Sequence, residues 1–335
     1  MVSRAVATGL RPALAPSDAA FERRLTWILG MQRTGSSWLL RLLSHPATLA
    51  ATPSGMNAPP RGRRERPLDV VPIDETRICD HLTPLVGDPP PYSGAQAEDH
   101  PRFVVNGVFA EQPAYFFSNQ YAKAWRPQVR SLILARLRAQ ARRAARDHRI
   151  RARSHVVVKE PQSHGAELVM SLLPRARMIF LLRDGREVMQ SLLALYLPGG
   201  RLDDRLVAPN PEDEQSRASF VFQNARLWLQ RTTAVQRAYE AHDPERRIVV
   251  RYEDLLRDTA GELRRLSDWM GLVRSDEQLR AAIEREASRR GPVGSSRRAG
   301  SGPGAATRLS SALGPAEEEI LREMIGPKLA ELGYR

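Results

Sequence analysis

Short apolar runs alternate along this chain with longer segments whose apolar residues recur every three or four positions. Four of the runs read as strands: Leu25–Leu29, 155–158, 178–182 and 247–250. Helical spacing follows or separates them at Ser36–Ser44, 163–173, 184–195, 215–241 and Thr259–Met270. Strands alternating with helices predict βαβ units, and so an α/β fold: a P-loop-like parallel β-sheet flanked by helices on both faces. In such a sheet ligands sit at the carboxyl ends of the strands. The residues that follow each run are "GMQRTGSS", "KEP", "RDGRE" and "RYED", and all four carry charge.

The remaining segments are less regular. Residues 47–101 are Pro-rich, interrupted by a short helical stretch, "DETRICDHL", at 74–82. Residues 112–153 read as helical, with aromatics at Tyr115, Phe116, Phe117, Tyr121 and Trp125. A Gly/Ser/Arg-rich loop at 289–315 precedes a closing helix at 316–332. The expected organisation is a flexible N-terminus over 1–22 and a single domain over 23–335, with irregular loops at 47–101 and 289–315.

Composition narrows the function classes. A chain of 335 residues buries a sizeable core. Cys79 is the only cysteine, which excludes an intrachain disulfide and a Cys-based metal site. The seven His residues show no ligand spacing, so no metal is expected. No apolar run approaches the ~18 residues of a membrane span, and a cytoplasmic location is the expectation. The net charge of +13 fits an anionic ligand or nucleic acid. No helix-turn-helix, RRM or zinc-finger pattern supports nucleic acid. The basic run at 130–153 reads as a solvated helix face. Only three basic residues are Lys: Lys123, Lys159 and Lys328.

The strongest motif is "LTWILGMQRTGSSWLLRLLSHP" at 25–46. Gly30 and Gly35 let the chain turn sharply after a buried strand, aiming backbone N–H groups inward at the start of a helix. That is an anion cradle with the helix dipole behind it. Ser36 and Ser37 add hydroxyls and Arg33 adds a fixed charge. A nucleotide-hydrolysing P-loop has Lys where this chain has Ser36. It also wants an Asp after a second strand to hold Mg²⁺, where this chain has Arg183 and Arg251. In "ARMIFLLRDGREVMQSLL", Arg183 ends a strand, Asp184 and Glu187 form a D-x-x-E capping box, and Ser191 lies two turns along the helix. Arg183 either holds a phosphate through its fork or pairs with a nearby carboxylate.

This combination resembles the sulfotransferases that use 3′-phosphoadenosine 5′-phosphosulfate (PAPS) and release adenosine 3′,5′-bisphosphate (PAP). "QRTGSSWL" resembles their 5′-phosphosulfate loop, and "IFLLRDGREVMQSLL" their 3′-phosphate motif. The resemblance implies that Arg33, Thr34, Gly35, Ser36, Ser37 and Trp38 bind the 5′ end of the donor. It implies that Arg183 and Ser191 hold the 3′-phosphate and that Tyr252, in "RYEDLL", approaches the nucleotide. "DETR" at 74–77 and "VVVKEP" at 156–161 resemble segments of the tyrosylprotein-sulfotransferase branch and bacterial relatives. On that ground Glu75 is the expected base and Lys159 the cation at the transferring group, with Arg33 and Lys159 together as the fixed charges for the departing oxygen. His81 is the alternative base.

The chain also departs from that pattern. Glu160 replaces an Asp, and the segment between the loop and "DETR" is longer. Arg289–Gly291 or Arg297–Arg298 stand where cytosolic relatives carry Arg-Lys-Gly. The implied reaction is metal-free in-line transfer to a small-molecule or peptidyl hydroxyl, less readily an amine, with Tyr115, Phe116 and Phe117 either lining the acceptor pocket or part of the core. No nucleic-acid or membrane partner is expected. The rival readings are a nucleotide-dependent kinase with a degenerate P-loop and a non-catalytic polyanion binder.

Overall fold

The computed structural model describes residues 16–45, 68–82, 117–144, 150–196, 210, 213–289 and 313–335. Five strands form one parallel sheet: β1 (Leu25–Leu29), β2 (Leu68–Asp74), β3 (Ile150–Glu160), β4 (Arg177–Leu182) and β5 (Arg247–Arg251), in the order β2-β3-β1-β4-β5. Helix α1 (Pro16–Glu22) precedes β1, and α2 (Ser36–Ser44) follows it. Between β2 and β3 lie α3 (Ile78–His81) and α4 (Ala122–Ala144). Helix α5 (Ala166–Leu172) leads into β4, and α6 (Gly185–Tyr196) and α7 (Glu214–Ala241) lead into β5. The chain closes with α8 (Tyr252–Arg257), α9 (Thr259–Met270), α10 (Asp276–Arg289) and α11 (Pro315–Glu331).

β1 runs through the middle, with Trp27 between Val158 and Met178, and Leu29 between Glu160 and Phe180. Its five residues are all buried, because neighbours and helices cover both faces. Alternate side chains go to opposite faces. Trp27, Val158, Met178 and Phe180 pack with α4, α5 and α7. Ile28, Val157, Ile179 and Val250 pack with α2, α9 and α10. A third cluster joins Met31 to α6, α7 and α11 at the carboxyl end. The chain leaves β1 toward β2 on one side and leaves β4 toward β5 on the other. The crevice between the ends of β1 and β4 is therefore the topological switch point.

The structure revises several expectations. β2 is a strand inside the segment read as irregular. Asp69, Pro72 and Asp74 interrupt its apolar run, and an edge strand tolerates them because it pairs on one side only, here with β3. β3 begins at Ile150, so 150–153 are strand rather than the end of a helix. The stretch 74–82 is not one helix: Asp74 ends β2, and α3 covers only Ile78–His81. Residues 16–22, expected to be flexible, form α1. Phe21 is buried, and Glu22 pairs with Arg130 and accepts the N–H of Arg175 at 2.7 Å.

The basic run is accordingly only partly a solvated face: Arg130 is buried and Arg138 pairs with Asp18. Phe117 packs edge-on against Trp125, with ring centroids 5.8 Å apart, at the margin of the core. Tyr115, Phe116 and 290–312 lie outside the described residues.

The Glu22–Arg130 pair ties α1 to α4 with both side chains nearly dry, at 0% and 11% exposure. Removing one partner strands the other charge. Glu22→Ala should destabilise the protein by about 3–5 kcal/mol, read as a lower urea midpoint. A loss under about 1 kcal/mol would match a solvent-screened pair instead.

Candidate functional site

The loop between β1 and α2 is shaped by two close approaches. A Cβ on Gly30 would lie 2.5 Å from the Leu181 carbonyl oxygen, and one on Gly35 would lie 2.4 Å from the Tyr252 ring. Gly35 also has φ +90°, which favours glycine. Thr34 donates its hydroxyl to the Met31 carbonyl at 2.7 Å, closing the turn. Ser163, just past β3, accepts the Gly30 N–H at 3.1 Å and lies 2.7 Å from the Glu160 carbonyl. Gly35, the N-cap of α2, has no side chain to cap it, and no other cap is present among the described residues. The N–H groups of its first turn, at Ser36 and Ser37, therefore remain donors for an anion, with the helix dipole behind them.

Arg33 joins this loop to the next motif. Its Nε donates to Ser191 Oγ at 3.0 Å, and its carbonyl accepts from Arg183 at 2.8 Å. The Arg183 guanidinium lies over the Tyr252 ring at 4.3 Å and donates twice to Glu187, at 3.0 and 3.1 Å. Arg33, Arg183, Ser191 and Tyr252 thus meet at the switch point. Of the two expected roles, the structure shows Arg183 paired with a carboxylate, Glu187, whose side chain is 39% exposed. The expected capping box differs. Asp184 accepts the Arg186 N–H at 2.8 Å, but its own N–H goes to Glu253 at 2.9 Å, and Glu187 turns to Arg183. Trp38 is buried in the core and packs edge-on against Tyr252, so it backs the loop rather than lining it.

On the other side of the loop, the Lys159 ammonium is 2.8 Å from Ser37 Oγ, 2.9 Å from Glu75 Oε1 and 2.5 Å from Asp74. Its side chain is 3% exposed, whereas Glu75 is 60% exposed. A buried cation and an open carboxylate thus stand beside the cradle. Glu75 and Arg77 have φ of 45° and 55°, and Arg33 has 70°. These three are the positive-φ residues other than glycine among the described residues, and all border this site. Each such conformation typically costs about 1–3 kcal/mol. Glu160 holds the 75–77 turn: its buried carboxylate accepts from Thr76 Oγ1 at 2.5 Å and from the Ile78 N–H at 3.0 Å. Arg136 adds a bond to the Thr76 carbonyl at 3.1 Å. His81 ends α3, and its side chain is not among those described.

A family model described as "Sulfotransferase family" matches residues 26–276. The chain belongs to the sulfotransferase family. No curated protein matches it. Among solved structures, sulfotransferase STF9 from Mycobacterium avium is 17% identical, covers 93% of this chain and 77% of its own, and has a TM-score of 0.45. The sulfotransferase domain of the Synechococcus PCC 7002 olefin synthase is 18% identical, with 89% and 93% covered and a TM-score of 0.41. A sulfotransferase from Alicyclobacillus acidocaldarius is 13% identical, with 92% and 93% covered and a TM-score of 0.43. No described helix of this sulfotransferase is long and apolar enough to cross a membrane.

Sequence reading missed four residues around the site. Ser163 and Glu253 reveal themselves only through tertiary contacts. His164 and Arg231 are buried beside the loop: Arg231 lies 3.2 Å from Met31 Sδ, and neither ring nitrogen of His164 has a hydrogen-bond partner among the described residues. Burial first, and then the charge of Arg231, pushes the His164 imidazole down to about 3. Between that value and its ordinary 6.5, the unfolded chain binds a proton that the native state refuses. Stability therefore falls as pH drops through this window. The urea midpoint should be lower at pH 5 than at pH 7, by less in His164→Gln than in wild type. An identical pH dependence in both would remove His164 as a cause.

Proposed function

We propose that this sulfotransferase moves a sulfuryl group from PAPS to a hydroxyl, less readily an amine, of a small-molecule or peptidyl acceptor, releasing PAP. The observation that carries the reading is the junction of Arg33, Arg183 and Ser191. Through Arg33, the Arg183 fork and Ser191 are tied directly to the loop after β1. A donor with phosphate at both the 3′ and 5′ positions suits that pair. The missing P-loop lysine and the Arg residues at 183 and 251 argue against a magnesium–ATP site.

PAPS, when bound, supplies an activated sulfuryl group and a good leaving group. The chain supplies the rest. The N–H groups and hydroxyls of Ser36 and Ser37 hold the 5′ end, and Arg183 and Ser191 hold the 3′-phosphate. Lys159 and Arg33 are fixed cations where negative charge grows on the departing oxygen, in a site needing no metal ion for that role. Glu75 takes the acceptor proton. Its carboxylate, 2.9 Å from the Lys159 ammonium, supports that role, because a base must stand within reach of the transferring group.

Calorimetric titration without Mg²⁺ tests the donor assignment. PAP should bind more tightly than ADP, and Arg183→Ala should erase most of that difference. A charge-assisted hydrogen bond is worth roughly 1.5–3 kcal/mol, so the loss should be about 10- to 100-fold. Equal affinity of the wild type for both nucleotides would overturn the assignment.

A further inference from the structure

Arg183 is held from two directions by consecutive residues of α8. The Tyr252 ring lies under its guanidinium, and the Glu253 carboxylate accepts the N–H of the next residue, Asp184, at 2.9 Å. The second oxygen of Glu253 accepts the hydroxyl of Tyr334 at 3.2 Å. Tyr334 is itself fixed after α11. Gly333 turns the chain with φ +80°, and the Tyr334 N–H bonds the Leu329 carbonyl at 2.8 Å. The Arg251 guanidinium covers the Tyr334 ring at 4.7 Å and also bonds the Leu332 carbonyl. A continuous chain of contacts therefore runs from the segment after α11, through Glu253, to the peptide joining Arg183 to Asp184. Tyr334 lies outside the residues 26–276 that define the family match.

We propose that Glu253 and Tyr334 are positioning residues for the 3′-phosphate subsite: the Tyr334–Glu253–Asp184 chain fixes the turn after β4 so that Arg183 stays between the Tyr252 ring and the Arg33 carbonyl, with its fork free to move from Glu187 to a phosphate. The physical reason lies in the turn itself. Asp184 spends its own carboxylate on the Arg186 N–H and guanidinium, and Glu187 is turned toward Arg183, so the Asp184 N–H takes its acceptor from outside the turn. A carboxylate from 69 residues away supplies it. An acceptor so placed needs its own anchor, and Tyr334 donates to the oxygen that Asp184 leaves open. The Arg251–Tyr334 stack then makes the segment after α11 part of the donor site rather than a passive cover.

The inference rests on the donor reading above, and its test separates the two. PAP and adenosine 5′-monophosphate, which lacks the 3′-phosphate, are titrated into wild type, Tyr334→Phe, Glu253→Ala and Glu253→Gln. Amide hydrogen exchange at Asp184 is followed in the nucleotide-free proteins. Tyr334→Phe should weaken PAP on the order of fivefold, the worth of one ordinary hydrogen bond, and leave adenosine 5′-monophosphate unchanged. Glu253→Ala should lose more, and Glu253→Gln, which keeps an acceptor oxygen for Asp184, should recover part of it. Asp184 should exchange faster in Tyr334→Phe and in Glu253→Ala.

Equal weakening of both nucleotides would mean general loosening and would overturn the proposal, as would unchanged exchange at Asp184. A wild type that does not distinguish the two nucleotides would overturn the donor reading, and the subsite role with it. The exchange result would still decide on its own whether the chain holds the turn.

Discussion

Two hydrogen bonds at Arg33 join the loop after β1 to the motif after β4, one through its side chain to Ser191 and one through its carbonyl from Arg183. They cross the switch point of the sheet, where the chain runs off in opposite directions and no backbone ladder continues. Without them the loop after β1 and the β4–α6 turn would be linked only through the β1–β4 pairing and the Tyr252 ring. With them, the two halves of the candidate donor site have a fixed spacing. Arg33 is held in a left-handed backbone conformation to do this, and Gly35, against the Tyr252 ring, leaves no room for the loop to relax.

The other edge of the site follows the same logic with different groups. Lys159 is buried because β3 lies inside the sheet. Its ammonium needs acceptors, and Ser37, Glu75 and Asp74 provide them. Glu75 reaches it only because the chain turns left-handed directly after β2, and Glu160 pins that turn from the next strand. The longer Glu in place of Asp therefore serves the turn that presents Glu75. Backbone strain at 33, 75 and 77 is concentrated where donors and acceptors converge, and the surrounding hydrogen bonds hold it there.

Much of the sheet was legible because buried parallel strands write themselves as apolar runs. β1, α2 and α9 stand at their expected bounds. β2 was not legible, since an edge strand with Pro72 and two Asp residues lacks that signature. α1 was missed because its stability comes from Arg130 and Arg138, more than a hundred residues away, and not from its own seven residues. The site divides in the same way. Arg33, Lys159 and Arg183 announce themselves by following apolar runs. Glu253, Ser163 and Tyr334 sit in ordinary-looking sequence and matter only through partners that the fold brings to them.

The measurement that bears most directly on the central claim is a crystal structure of the protein with PAP. The account predicts the 3′-phosphate within hydrogen-bond distance of Arg183 and Ser191, the Arg183 fork shifted from Glu187 to the ligand. It predicts the 5′-phosphate on the N–H groups of residues 33–37, with Lys159 beside it. A nucleotide bound elsewhere, or one seated in the loop with its 3′-phosphate in solvent and Arg183 still on Glu187, would contradict it.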